Sequence, residues 1–216
     1  MPSHYRHHPT RRKSPSFVAL AQIAKDTGAF IIGGSVPECD TSGNIYNTCA
    51  MHLFDMDVPG GMSFHESDTL SAGKKTTTVD LEGYGQIGLG VCYDMRFAEL
   101  STIAARQGAF ALVYPSAFNT TTRPLHWELL GRARAVDNQV HHFVFKIERA
   151  NSSYPAWGYG MVTDPMGQVV AGTNQSEDIA YALLDPETIK RSRMAIPITF
   201  QRRHDVYPDI GKLVQT

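Results

Sequence analysis

The stretch Gln86-Ile-Gly-Leu-Gly-Val-Cys-Tyr-Asp94 carries an apolar strand into a helix, with Cys92 at the junction. Apolar residues then recur at helical spacing until Gly108, at Phe97, Leu100, Ile103 and Ala104. A cysteine on such a turn meets backbone N–H groups that lower its pKa and can bind an oxyanion. A buried structural cysteine is the alternative, and the local pattern leaves both open.

Strands and helices alternate along the chain, which predicts an α/β fold or an α-β-β-α layered domain. The composition of Asp164-Pro-Met-Gly167 is typical of a β-turn. Residues 1–13 are predicted to be a basic disordered arm, and residues 14–216 one domain. The predicted helices are 16–27, the segment after Cys92, 124–138 and 186–193, and the predicted strands are 29–32, 47–54, 76–80, 86–91, 110–114, 140–147, 159–163, 168–171 and 179–184.

The composition excludes several classes of partner. A formal net charge of −1 predicts no general attraction to nucleic acid or anionic membranes. No apolar run is long enough to span a bilayer, and no secretory signal follows Met1. Three cysteines without close spacing indicate a reducing compartment, so we expect a cytoplasmic protein. The basic start resembles a transit peptide faintly, which makes the mitochondrion the alternative location.

A nucleophilic cysteine needs a base, and three residues are candidates by position: Glu99, His126 and Glu128. Glu99 is expected on the surface of its helix. Glu128 follows Trp127 near a helix start, where partial desolvation would suit an acid or base. The alternative, favoured on local grounds, is a first-turn glutamate placed by the helix dipole.

Two weaker motifs fail their context tests. Gly83-Tyr-Gly-Gln-Ile-Gly88 matches a dinucleotide fingerprint, but it enters a strand instead of following one. His126-Trp-Glu128 lacks the Pro-Cys-x-x-Cys partner of zinc deaminases. The histidines have no metal-ligand spacing, so we predict neither a metal nor a cofactor.

The string Gly88-Leu-Gly-Val-Cys-Tyr-Asp-Met-Arg-Phe-Ala-Glu-Leu100 resembles the nucleophile segment of the carbon–nitrogen hydrolase, or nitrilase, superfamily. Segments around it resemble the family's ω-amidase branch: 31–38, 47–50, 52–60, 112–119, 124–130, 132–139, 157–158 and 164–167. The resemblance implies an α-β-β-α sandwich and a homodimer. It also implies hydrolysis of the terminal amide of α-ketoglutaramate or α-ketosuccinamate, with no cofactor.

The resemblance also implies roles for particular residues. Cys92 is the expected nucleophile, which forms a thioester as ammonia leaves. Glu128 is assigned as the family's second glutamate, and the N–H of Tyr93 as an oxyanion donor. Candidate substrate-binding residues, chosen for their closeness in sequence to Glu128, are Arg132, Arg134 and the loop 116–123, and in particular Phe118, Asn119 and Arg134.

The chain departs from the family pattern at two catalytic positions. The family's general-base glutamate precedes the first helix, but here no acidic residue occurs before Lys25. The family's lysine precedes a His-Leu-Phe-Asp run, where this chain has Ala50-Met51. We therefore expect a sandwich incomplete at its N-terminal side, and a catalytically inactive or truncated member acting only by binding or dimerisation is the alternative function. A class I glutamine amidotransferase is set aside, because it expects glycine where Asp94 stands.

Overall fold

A six-stranded mixed sheet forms the centre of the computed structural model, which describes residues 14–47, 49–57, 63–118, 123–146, 159–174 and 178–207. Within these residues no helix is both long and apolar enough to cross a membrane. The elements are α1 (Pro15–Thr27), β1 (Pro37–Cys39), β2 (Ile45–Asn47), β3 (Asp55–Asp57), β4 (Ser63–His65), β5 (Thr77–Leu81), β6 (Gly85–Leu89), α2 (Ala98–Arg106), β7 (Ala109–Ser116), α3 (Arg123–Asn138), β8 (His141–Lys146), β9 (Met161–Thr163), β10 (Val169–Gly172), α4 (Pro186–Ala195) and α5 (Ile198–Gln201), with 3₁₀ turns at Glu66–Asp68 and Cys92–Arg96.

The strand order in the sheet is β10-β9-β8-β7-β6-β5. The central strands β6, β7 and β8 are parallel, and the remaining pairs are antiparallel. Parallel neighbours need a crossover, which α2 supplies between β6 and β7 and α3 between β7 and β8. The α/β prediction is therefore confirmed, and the nucleophile turn lies at the carboxyl end of β6.

The main core lies between the sheet and these two helices. Strand β7 is its centre, because nearly all of its residues are buried. Gly88 lets α2 approach the sheet, since a Cβ added there would lie 2.7 Å from the Cβ of Ala104. Buried residues of this core are Met95, Leu100, Ala104, Ala109, Leu112, Tyr114, Phe118, Trp127, Val140, Val144 and Met161.

The opposite face of the sheet carries a smaller cluster around Ile87, Ala111 and Val113. Among the described residues, the remaining strands form only two short ribbons, β1–β2 and β3–β4. A second large sheet, which an α-β-β-α sandwich would place on this face, is not among the described elements.

Three predicted strands differ from the structure. Residues 29–32 and 179–184 form no strand, and Tyr181 and Leu183 are 84% and 89% exposed. A short apolar run forms a strand only when a neighbour takes up its backbone hydrogen bonds, and no described strand pairs with either segment. In the predicted strand 47–54, backbone N–H groups donate to the carboxylates of Asp94 and Glu66 instead.

Other local predictions are confirmed. Helix α1 begins after Ser14, whose hydroxyl accepts from the backbone of Phe17, and ends at Gly28 in the left-handed conformation. The predicted turn after Thr163 forms because Asp164 accepts hydrogen bonds from the backbone of Met166, Gly167 and Gln168. The predicted arm 1–13 lies outside the described residues.

Candidate active site

Cys92 lies on a tight turn between β6 and the 3₁₀ helix Cys92–Arg96, as predicted. Its φ of 45° is uncommon for a residue with a side chain. The turn is held by Asp94, whose Oδ2 accepts from the N–H of Val91 at 2.9 Å while its own N–H donates to the carbonyl of Val91 at 2.9 Å. In a 3₁₀ helix the first N–H groups lack an acceptor within the helix, and the N–H of Tyr93 is one of them.

The surroundings of the thiol set its pKa. Burial raises the pKa of Cys92 to about 11, and a hydrogen bond from the N–H of Ala117 opposes this shift. The negative charge of Glu66 raises the same pKa, the guanidinium of Arg96 lowers it, and the carboxylate of Asp94 raises it. At neutral pH the thiol is therefore protonated, so its use as a nucleophile requires a nearby base.

Asp94 also joins a distant segment to the turn. Its carboxylate is fully buried and accepts from the backbone N–H of Met51 at 3.1 Å and of His52 at 2.8 Å. The ring Nδ1 of His52 lies 2.8 Å from the same carboxylate, and the ring stacks on Phe97 at a centroid distance of 3.6 Å. The segment before β3 is thereby fixed beside Cys92.

Glu66 is the carboxylate that sequence reasoning missed. It follows β4, which pairs with β3 through Asp55 and His65, and its Oε2 accepts from the N–H of Phe54 at 2.8 Å. Its charge acts on the Cys92 thiol. No local signal in the sequence distinguishes this glutamate, because its closeness to the cysteine arises only when the ribbon packs on the turn.

Glu128, predicted as the second glutamate, lies on the outer face of α3. Its side chain is 63% exposed and accepts from Nη1 of Arg132 at 3.2 Å. The adjacent Trp127 is 4% exposed and faces the core, so the helical period turns Glu128 away from it. The structure does not bring Glu128 to Cys92, and the carboxylates whose charge acts on the thiol are those of Glu66 and Asp94.

Arg134, predicted to bind substrate, is hydrogen-bonded to the backbone of the nucleophile turn. Its buried guanidinium donates to the carbonyls of Met95 at 3.0 Å and Arg96 at 3.1 Å, and to the carboxylate of Asp137 at 3.2 Å. These bonds engage Nε, Nη1 and Nη2 in holding the turn and the side chain of Asp137.

Arg96 is the cation of this site. Its guanidinium carbon lies 5.0 Å from the ring centroid of Phe118 and 5.8 Å from that of Tyr93. Its Nη1 lies 3.0 Å from Nδ1 of His126 on α3. Phe118, a predicted substrate-binding residue, is buried and makes an edge contact with Trp127 at 5.2 Å. Asn119 lies outside the described residues.

In the described part of the chain, no group of three or more histidine, cysteine, aspartate or glutamate residues is placed to hold an ion.

Comparison with known proteins identifies the family. The carbon–nitrogen hydrolase family profile matches residues 1–194. The chain is 49% identical over 217 residues to the omega-amidase Nit3 of Saccharomyces cerevisiae, covering 93% of this chain and 74% of the relative. It is 47% identical to the omega-amidase Nit2 of Mus musculus over 203 residues, covering 87% of this chain and 73% of that protein.

A solved structure supports the same family assignment. The crystal structure of S. cerevisiae Nit3, a member of branch 10 of the nitrilase superfamily, superposes with a TM-score of 0.78 at 46% identity, covering 88% of this chain and 72% of that chain. The mixed sheet with its crossover helices thus matches the nitrilase fold, and the chain belongs to the carbon–nitrogen hydrolase family.

Proposed function

We propose that this chain is an amidase for small dicarboxylate monoamides of the α-ketoglutaramate and α-ketosuccinamate type, acting through a Cys92 thioester and releasing ammonia. One observation carries the proposal: the thiol on its strained turn is under the influence of the carboxylates of Glu66 and Asp94 and of the guanidinium of Arg96. The similarity to proteins named omega-amidases supports the substrate class.

The proposed chemistry uses Glu66 as the base. Glu66 takes the proton of the Cys92 thiol, and the thiolate attacks the amide carbon while the N–H of Tyr93 donates to the developing oxyanion. Glu66 then gives the proton to the leaving nitrogen, the C–N bond breaks, and ammonia departs from the thioester. Water attacks the thioester and loses its proton to Glu66. The C–S bond breaks, and proton return restores the Cys92 thiol.

Arg96 is proposed to bind the carboxylate at the end of the substrate remote from the amide. A guanidinium can pair with a carboxylate through two parallel hydrogen bonds, and this interaction is stronger where bulk water is excluded. The aromatic ring of Phe118 would contact the carbon chain between the two ends. This arrangement replaces the predicted use of Arg134.

The test follows ammonia release from α-ketoglutaramate by the purified chain. We expect turnover that disappears in the variant Cys92→Ser and persists in Cys39→Ser, because Cys39 is exposed and outside the site. Detection of the acyl-enzyme by mass spectrometry after rapid quenching would identify the thioester directly.

A binding-only role is the alternative function, based on Ala50-Met51 at the position where the family pattern expects a lysine. A folded protein without turnover would support this role and contradict the amidase proposal. Sedimentation of the same sample tests the homodimer that the family resemblance implies.

A further inference from the structure

We infer that His126 is a positioning residue that orients the Arg96 guanidinium for the carboxylate of the substrate, and so favours charged over neutral amides. The inference rests on the proposed function, since it specifies how one end of that substrate is selected. It concerns α3, the helix that also carries the buried Arg134.

The hydrogen bond between the two side chains determines which ring nitrogen of His126 accepts. Nη1 of Arg96 lies 3.0 Å from Nδ1 of His126. A guanidinium only donates hydrogen bonds, so Nδ1 accepts and carries no proton. The imidazole that makes this contact is therefore neutral, with its proton on Nε2.

The aromatic contacts of Arg96 do not by themselves fix the orientation of its guanidinium. Phe118 and Tyr93 attract the guanidinium through their ring faces at 5.0 and 5.8 Å. Attraction to a ring face sets the distance from the ring but constrains rotation of the guanidinium in its own plane weakly. A directional hydrogen bond from one Nη group to His126 constrains that rotation, and with it the direction in which the other N–H groups point.

Helix α3 holds Arg96 at both ends. Arg134 donates to the backbone carbonyl of Arg96 at 3.1 Å, while His126 accepts from its guanidinium. The two residues lie about two turns apart on one helix. Trp127, next to His126, packs edge-on against Phe118 at 5.2 Å, so the helix also positions the ring beneath the guanidinium. Through His126, the rigid helix α3 therefore constrains the position of the long Arg96 side chain.

Two substitutions separate this role from simple packing. His126→Asn keeps an oxygen acceptor close to the position of Nδ1, whereas His126→Leu removes the acceptor at similar bulk. We expect His126→Leu to raise KM for α-ketoglutaramate roughly 10-fold with little change in kcat, since the loss affects ground-state and transition-state binding alike. For the neutral amide butyramide, kcat/KM should stay within about twofold of wild type, and His126→Asn should restore most of the affinity for the charged amide.

A binding measurement makes the result independent of turnover. The Kd of α-ketoglutarate for the Cys92→Ser protein, measured by calorimetry, should rise roughly 10-fold with His126→Leu and much less with His126→Asn. Equal Kd values for His126 and His126→Leu, or equal losses with both amides, would overturn the inference. Absence of ammonia release by the wild-type chain alongside this Kd pattern would instead refute the proposed function and leave the positioning role supported.

Discussion

Oδ1 of Asp94 lies 2.8 Å from the backbone nitrogen of His52 and 2.8 Å from its ring Nδ1. The carboxylate has no exposed surface, and the N–H groups of Val91, Met51 and His52 offset its charge. This contact fixes Ala50-Met51 next to the nucleophile turn, at the position where the family pattern expects a lysine.

Replacing Asp94 by asparagine should destabilise the fold strongly. An amide has one acceptor oxygen and would turn an NH₂ group towards N–H donors, which leaves buried groups unpaired. We expect a loss of about 3 kcal/mol in the free energy of unfolding, measured by urea denaturation. Asp205→Asn is the matched control and should leave stability unchanged, because Asp205 is an exposed partner of Arg203. Equal effects of the two substitutions would refute the anchoring role.

The variant Glu66→Gln should make the Cys92 thiol more reactive and the enzyme less active. Removing the negative charge lowers the pKa of the thiol, so alkylation by iodoacetamide at about pH 8 should be faster. Amide hydrolysis should fall about 10²–10⁴-fold, because the proposed base is lost. The amide oxygen of glutamine can still accept from Phe54.

The same pair of assays on Glu128→Gln provides the control for Glu66. Glu128 is exposed and paired with Arg132, so neither the alkylation rate nor turnover should change. Loss of turnover in Glu128→Gln with normal turnover in Glu66→Gln would assign the second-glutamate role to Glu128 and contradict the proposed role of Glu66.

His142 should make the fold sensitive to acid. Its ring is fully buried in β8, 5.1 Å from the ring of Tyr114, and burial lowers its pKa to about 3, aided by Arg134. In the unfolded chain, the imidazole of His142 takes up a proton below its ordinary pKa of 6.5. In the folded chain, the same imidazole stays neutral until the pH falls to about 3. The stabilisation is therefore complete above pH 6.5 and is lost as pH falls towards 3.

At about pH 5 this linkage amounts to a loss on the order of 2 kcal/mol relative to about pH 7. Urea denaturation at both pH values should show a smaller pH dependence in His142→Phe, which retains an aromatic ring against Tyr114. An identical pH dependence in the two proteins would show that other groups control acid stability.

Gln139 should hold the C-terminal helices to the sheet. Its Nε2 donates to the carbonyls of Ser192 at 3.0 Å and Ile196 at 2.7 Å, and its Oε1 accepts from the hydroxyl of Thr199 at 2.7 Å. We expect Gln139→Ala to cost about 3 kcal/mol and to accelerate hydrogen exchange in α4 and α5. The exposed Gln168→Ala should do neither, and unchanged exchange in Gln139→Ala would contradict the role.

Local signals predicted the elements whose interactions are themselves local. Ser14 before Pro15 and Gly28 after Thr27 define α1 because caps act within one turn. The segment 179–184 is a continuous apolar run but lacks a described neighbour, and pairing depends on residues far away in sequence. Sequence position likewise could not show that α3 turns Trp127 inwards and Glu128 outwards, since the sheet decides which face is buried.

The sequence by itself determined the place of Cys92, because a strand that runs into a helix forces a tight turn whatever the rest of the chain does. Tertiary structure alone decided which charges reach the thiol. The β3–β4 ribbon positions Glu66, which follows β4 directly. Helix α3 holds Arg96 in place through His126 and Arg134. Electrostatic forces depend on distance in space and on burial, and neither can be read from separation along the chain.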